Sequence, residues 1–324
     1  AVIDGSCYIY VKLASGELLK IAKTKAWNWQ QGSMATWLDN DFIGFNDIFN
    51  GLVTFCIFSI KKGCVIKKHS NALQSYSLTN RIYASISYEK LNLLRPEYGY
   101  CKLVNNDFDI NYGIKISDIE TGESIYRINL DKVIKLIGEN DNKTKVKINH
   151  CLFSPNGESL LFMYRAFRKD GKYSYLLLWD YKKDLLTKLM GDRIVSHYSW
   201  INDKKIVVWG RIENQTGYHF LNLNKKTVFN NFKHPLLLGD GHPSYCIKGN
   251  TILTDTYPDK SRVSSLFLIN NDIESQVLQL KQPWKYKNSR RIDLHPRFNQ
   301  KCELITLESG HSGNRRQYVL KKLD

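Results

Sequence analysis

Residues 150–190 run His150-Cys-Leu-Phe-Ser-Pro-Asn-Gly157, then Ser159-Leu-Leu-Phe-Met-Tyr-Arg165, then Lys169-Asp-Gly-Lys172, then Tyr173-Ser-Tyr-Leu-Leu-Leu-Trp-Asp180, with a last apolar stretch at 184–190. Pro-Asn-Gly and Asp-Gly supply the backbone freedom of tight turns, and the runs between them are rich in strand formers. The stretch therefore predicts four strands, at 148–153, 159–165, 173–180 and 184–190, folded as one antiparallel meander.

The same pattern recurs. His197 opens His-Tyr-Ser-Trp-Ile-Asn-Asp-Lys, His242 opens His-Pro-Ser-Tyr-Cys-Ile-Lys-Gly, and His295 opens His-Pro-Arg-Phe-Asn-Gln-Lys. An aromatic residue follows each histidine three positions on: Phe153, Trp200, Tyr245 and Phe298. Successive histidines are 47, 45 and 53 residues apart. Several strands per repeat at such a period are the mark of a β-propeller. Upstream, Met34 and Leu73 open further copies, with Asn224-Lys225-Lys226 and Asn270-Asn271-Asp272 as third turns downstream. The segment 7–22 reads as the outer two strands of another blade, and the C-terminus offers strands at 292–298, 302–308 and 316–322. The expectation is one all-β domain over 1–324, a propeller of four-stranded antiparallel blades. Seven blades are preferred, with six as the alternative, and an insertion lies at about 87–111. Long loops are usually functional, and this one carries Arg95, Tyr98 and Tyr100.

Composition narrows the function classes. The 324 residues carry 47 Lys plus Arg against 31 Asp plus Glu, a net charge of +16, so the partner is expected to be polyanionic. The basic pairs fall in turns and match no nucleic-acid module, which disfavours nucleic acid and leaves acidic oligo- or polysaccharide. No apolar run approaches the roughly eighteen residues of a membrane span. Seven dispersed cysteines without a Cys-x-x-Cys pair read as reduced thiols and point towards the cytoplasm. The chain starts at Ala1, which leaves a periplasmic or secreted protein open. Oligomeric state is not legible.

Equivalent positions of successive blades converge, so the histidines are expected to form one polar group able to bind a metal or supply a general base. A second series follows thirteen to fifteen residues later: Arg165, Arg211, Asp255 and Glu308, with Asn46 and Asp47 upstream. These are either paired internally or bind a substrate carboxylate, for which a guanidinium fork is well shaped. No Gly-x-Ser-x-Gly elbow and no phosphate-cradling glycine loop is present.

Three strings carry a resemblance: Ala26-Trp-Asn-Trp-Gln-Gln-Gly32; Gly239-Asp-Gly-His-Pro-Ser-Tyr245 with Thr254-Asp-Thr-Tyr-Pro-Asp259; and Asp293-Leu-His-Pro-Arg297 with Gly310-His-Ser-Gly-Asn-Arg-Arg-Gln317. They resemble seven-bladed propeller polysaccharide lyases of the oligogalacturonate lyase and ulvan lyase type, from about residue 20 onward. The resemblance implies cleavage of a uronate-containing saccharide by β-elimination. It also implies a divalent metal (zinc, manganese or calcium) on His197, His242 and His295. Catalytic roles fall to His242, Tyr245, Tyr257 and Arg297, and substrate binding to Arg165, Arg211, Asp255 and Arg315. His150 shares the register but lies outside these strings, which favours a structural role. The alternatives are a non-catalytic propeller binding an acidic glycan or a protein partner, and a glycoside hydrolase using Asp255 with Asp293.

Overall fold

The computed structural model of the protein describes residues 5–13, 15–100, 108–138, 140–224, 227–229, 239–246, 248–270, 273–299 and 301–321. The chain divides into two compact units, one formed by Ala1–Lys172 with Leu176–Lys188, the other by Tyr173–Tyr175 with Leu189–Asp324. All of its sheets are small antiparallel meanders, and the fold is a β-propeller.

In the first unit, β1 (Cys7–Lys12) and β2 (Leu18–Thr24) form a two-stranded sheet. The next sheet is β3 (Thr36–Trp37), β4 (Phe42–Phe49), β5 (Leu52–Ser59) and β6 (Cys64–His69). The third is β7 (Ser75–Ser77), β8 (Ile82–Ser85), β9 (Tyr112–Asp118) and β10 (Ser124–Asn129). The fourth is β11 (Val146–Phe153), β12 (Leu160–Arg168), β13 (Gly171–Asp180) and β14 (Leu185–Asp192). Its strands fall where the opening stretch of sequence places them. In the Ser154-Pro-Asn-Gly157 turn, Gly157 takes a φ of 71° and donates its N–H to the Ser154 carbonyl at 2.8 Å.

The second unit holds β15 (Val195–Asn202), β16 (Lys205–Ile212), β17 (Gln215–Asn222) and β18 (Thr227–Phe229) in one sheet. Another contains β19 (Ser244–Cys246), β20 (Thr251–Asp255), β21 (Val263–Asn270) and β22 (Ile273–Lys281). The last has three strands, β23 (Arg297–Phe298), β24 (Leu304–Ser309) and β25 (Arg316–Lys321). The β1–β2 hairpin is thus a sheet of its own, packed on its successor through Ile9, Val11 and Ile21 against Ile43, Phe45 and Phe58.

Consecutive sheets within each unit pack face to face. Phe55 and Ile57 of β5 meet Leu73 and Tyr83 of the next sheet, and Leu253 and Leu266 meet Leu294 and Leu307. Such sheets are covered on both faces, so their middle strands lose the alternation of a half-exposed strand. β12 shows it: Leu160 to Tyr164 are all fully buried.

Several expectations are corrected. The 87–111 segment is not simply a loop, because Tyr88–Leu94 form a helix, α1, capped by the Ser87 hydroxyl. Residues 101–107 of that segment, and parts of the two asparagine-containing third turns, lie outside the described residues. A second helix, α2 (Leu130–Ile137), follows β10 and buries Leu130, Val133 and Ile137 at helical spacing before Gly138 ends it at φ 77°. The strand expected at 292–298 is reduced to Arg297–Phe298. Not all the cysteines are reduced: Cys246 and Cys302 form a disulfide with Cα atoms 5.9 Å apart. Their 56-residue separation is close to one repeat, so consecutive sheets bring them together.

Candidate metal and active centre

At His150 and His197 the repeating position falls at an irregularity of the innermost strand, whereas His242 and His295 lie just before β19 and β23. The β11–β12 register shifts between Asn149 and Leu152, and the β15–β16 register shifts between Val195 and Tyr198. Met34, His150 and His295 adopt positive φ of 56°, 53° and 44°. An extra residue in a strand re-aims the side chain there, so these positions leave the strand alternation and become free for polar work.

In the second unit the structure brings three of the four histidines together. The His197 and His242 ring centroids are 4.2 Å apart, and those of His242 and His295 are also 4.2 Å apart. Tyr257 lies beside them, 5.6 Å from His242 and 6.4 Å from His197. Two of the imidazoles are hydrogen-bonded to a carboxylate and the third faces one. His197 Nδ1 is 3.0 Å from Asp240 Oδ1, and His242 Nδ1 is 2.9 Å from Asp255 Oδ1. His295 Nδ1 stands 3.9 Å from Glu308 Oε2, and Glu308 in turn pairs with the Arg315 guanidinium.

Asp255 ties two sheets. It is fully buried and accepts the backbone N–H of His242 at 2.7 Å on Oδ1 and that of His295 at 3.2 Å on Oδ2. Asn46 does the same job in the first unit, with Oδ1 accepting from Leu73 N at 2.7 Å and Nδ2 donating to Leu73 O at 2.7 Å. The second polar series of the sequence therefore contains sheet-to-sheet ties at Asn46 and Asp255. Gly241 makes the Asp255 contact feasible, because a Cβ there would run into the Asp255 carbonyl oxygen.

The electrostatics follow from burial. Desolvation drives the His242 imidazole well below its ordinary pKa, and the neighbouring His197 and His295 add to the effect. His242 is thus neutral, the form that ligates a metal. Burial alone would raise Asp240, but the hydrogen bond and charge of His197 outweigh it and hold the carboxyl below its usual range. Glu308 behaves likewise, its desolvation outweighed by His295 and Arg315.

His242, Asp293 and His295 place ligand atoms within 4.8 Å of one another. Arg291 grips the Asp293 carboxylate from Nε at 2.5 Å and Nη2 at 2.8 Å, which fixes its plane and leaves further lone pairs free. With Nδ1 of His242 held by a carboxylate, Nε2 is its free donor, the arrangement typical of histidine ligands. Two imidazoles and a carboxylate suit a divalent ion such as manganese or zinc.

The remaining sequence candidates are placed as follows. Arg315 joins the centre through Glu308. Arg297 lies on β23, where its charge acts on His242 and on the Asp255 carboxylate, and it donates Nη1–H to the Pro296 carbonyl at 3.1 Å. Tyr245 packs in the β15–β22 core, and its hydroxyl donates to Asn250 Oδ1 at 2.5 Å rather than towards the histidines. Arg211 lies opposite Thr216 in the β16–β17 ladder. Arg165 and His150 belong to the first unit, where the His150 ring faces Tyr98 at 5.8 Å. Sequence reasoning assigned no role to Asp240 or Arg291. Asp240 was in view two residues before His242 in Gly-Asp-Gly-His, but the histidine it orients is 43 residues away.

No protein-family model matches this sequence, and no curated protein does. Among solved structures, the chain is similar to an oligogalacturonate lyase in complex with manganese at 10% identity and a TM-score of 0.55, covering 98% of this chain and 97% of that one. A functionally unknown protein from Desulfotomaculum acetoxidans DSM 771 matches at 12% identity and a TM-score of 0.50, over 98% and 89% of the two chains. TolB from Acinetobacter baumannii matches at 14% identity and a TM-score of 0.45 over 84% of this chain, which spans 60% of TolB's length. At such identities the likeness is one of fold, and the fold shared with the oligogalacturonate lyase is the β-propeller.

Proposed function

We propose that the protein is a metal-dependent polysaccharide lyase that cleaves a uronate-containing acidic saccharide by β-elimination. The observation that carries this reading is the group His242, Asp293 and His295, with carboxylate-oriented His197 at its side. The similarity in fold to a manganese-bound oligogalacturonate lyase supports it.

In this reading His242, His295 and Asp293 hold the ion, which would supply positive charge to neutralise the uronate carboxylate and acidify the adjacent C5 proton. His197 keeps its Nδ1 proton on Asp240 and presents Nε2 as the base that accepts the C5 proton. The C5–H electron pair becomes the C4–C5 double bond as the C4–O bond breaks. Tyr257 donates its proton to the departing glycosidic oxygen; the Arg291 guanidinium, 4.5 Å from its ring centroid, favours the phenolate left behind. Arg315 supports His295 through Glu308, and Asp255 positions His242. A glycosidase pair of Asp255 and Asp293 has less support, because the first accepts two backbone N–H groups and the second is clamped by Arg291.

The test is ultraviolet absorbance of the unsaturated uronate product across a panel of acidic polysaccharides, with and without chelator. The expected result is a chelator-sensitive signal on at least one substrate that His242→Ala abolishes. No signal on any substrate, with wild type and His242→Ala indistinguishable, would refute the enzyme and leave a glycan-binding propeller. Reducing ends without the chromophore would indicate hydrolysis.

A further inference from the structure

The first unit contains a group of cations that the histidine centre does not use. Lys147 of β11 and Arg165 of β12 are directly opposed, and they are 1% and 6% exposed. Opposed residues share one sheet face, where like charges repel, and burial adds a desolvation cost to each. Lys147 Nζ is buried without a hydrogen-bond partner among the described residues and lies 5.2 Å from the Tyr98 ring centroid. Asn149 stands two residues along β11, on the same face by strand alternation. It is fully buried, and neither its Oδ1 nor its Nδ2 meets a hydrogen-bond partner.

The surroundings make this worse for a purely structural role. Arg165, Arg95 and Lys172 all add positive charge around Lys147, and the acid that opposes them, Glu97, is already paired with Arg95. Burial, reinforced by Arg165 and Arg95, pushes the Lys147 ammonium well below its ordinary pKa. Buried polar atoms in folded proteins are nearly always bonded, so three unbonded ones beside a like-charge pair call for a ligand. Its sign is fixed by the cations.

We propose that Lys147, Asn149 and Arg165 form a binding site for one oxyanion, the carboxylate of an acidic sugar or a phosphate group, approached past the half-exposed Arg95 and Tyr98. The anion replaces the Lys147–Arg165 repulsion with two charge-assisted contacts, and the Asn149 amide supplies a neutral N–H. Tyr98, on the segment after α1, flanks the bound group. The site lies in the unit that does not contain the histidine centre, so it stands whether or not the lyase reading does.

The experiment is thermal melting and calorimetric titration of the full chain with inorganic phosphate and, separately, galacturonate, with galactose as the uncharged control. The expected result is that at least one anion binds and raises Tm while galactose does not. Binding by one anion alone identifies the source, phosphate or carboxylate. Lys147→Met should raise the ligand-free Tm, by removing the buried charge, and weaken anion binding roughly tenfold or more. Asn149→Leu should weaken it too and decides the matter if Lys147→Met does not fold. Anion affinity unchanged in both variants, or no binding of either anion to wild type, would overturn the proposal.

Discussion

His242 has more support than any other side chain of the centre: a carboxylate on Nδ1, the same carboxylate on its backbone N–H, and an imidazole against each ring face or edge. Asp255→Ala would strip both His242 and His295 of backbone partners inside the protein. We expect it to cost about 2–4 kcal/mol in denaturant unfolding, the price of leaving buried N–H groups unbonded. Asp240 is more exposed and its role is different. On the proposed lyase reading, Asp240→Asn should fold normally and lower the elimination rate on the order of 10²–10⁴-fold, because His197 loses the group that fixes its tautomer. Since the folded Asp240 pKa is depressed, its stabilisation is complete above the unfolded value near 3.9 and is lost as pH falls through the folded one. Melting curves of Asp240→Asn should therefore be flatter below about pH 4 than those of wild type. At this scale the sequence shows which histidines share a register but not what orients them. Asp240 and Arg291 act across folded contacts, and the direction of Tyr245 depends on strand alternation within a three-residue strand.

Among the elements, α1 carries an unusual burden. Lys90 is 4% exposed, and its Nζ donates to the Ile110 carbonyl at 3.0 Å. Burial lowers its pKa to about 8. The unfolded chain therefore binds more protons than the folded one between that value and the ordinary lysine pKa of about 10.4. Wild-type stability should rise, relative to Lys90→Met, as pH increases through that window, with a penalty of about 3 kcal/mol at neutral pH that the methionine relieves. A stability difference independent of pH would contradict this. The disulfide between β19 and the β23–β24 turn closes a 56-residue separation. Cys302→Ser should lower the unfolding free energy by about 2–4 kcal/mol under non-reducing conditions and leave the wild type under reductant similarly weakened. The four strands of 146–192 were legible because their turns and apolar runs are local. The helix α2 was missed although Asn129, the spacing of Leu130, Val133 and Ile137 and the closing Gly138 signal it, whereas the disulfide was not legible because its pairing is set by the neighbouring sheet.

For the whole molecule, the repeat is the organising fact. It makes residues some fifty positions apart equivalent, so one sheet after another delivers a polar group from a position in or just before its innermost strand. In the second unit three such deliveries converge on one centre; in the first, His150 occupies the same position beside Tyr98, whose ring also faces Lys147. The net charge of +16 suits acidic saccharides as ligands of either site. The chemistry of the histidine centre nevertheless depends on whether it holds an ion. Elemental analysis after manganese loading and exhaustive dialysis decides that. The centre described here predicts one divalent ion per chain in wild type and none at stoichiometric level in His295→Ala. Metal-free wild type, or equal metal in both proteins, would contradict it.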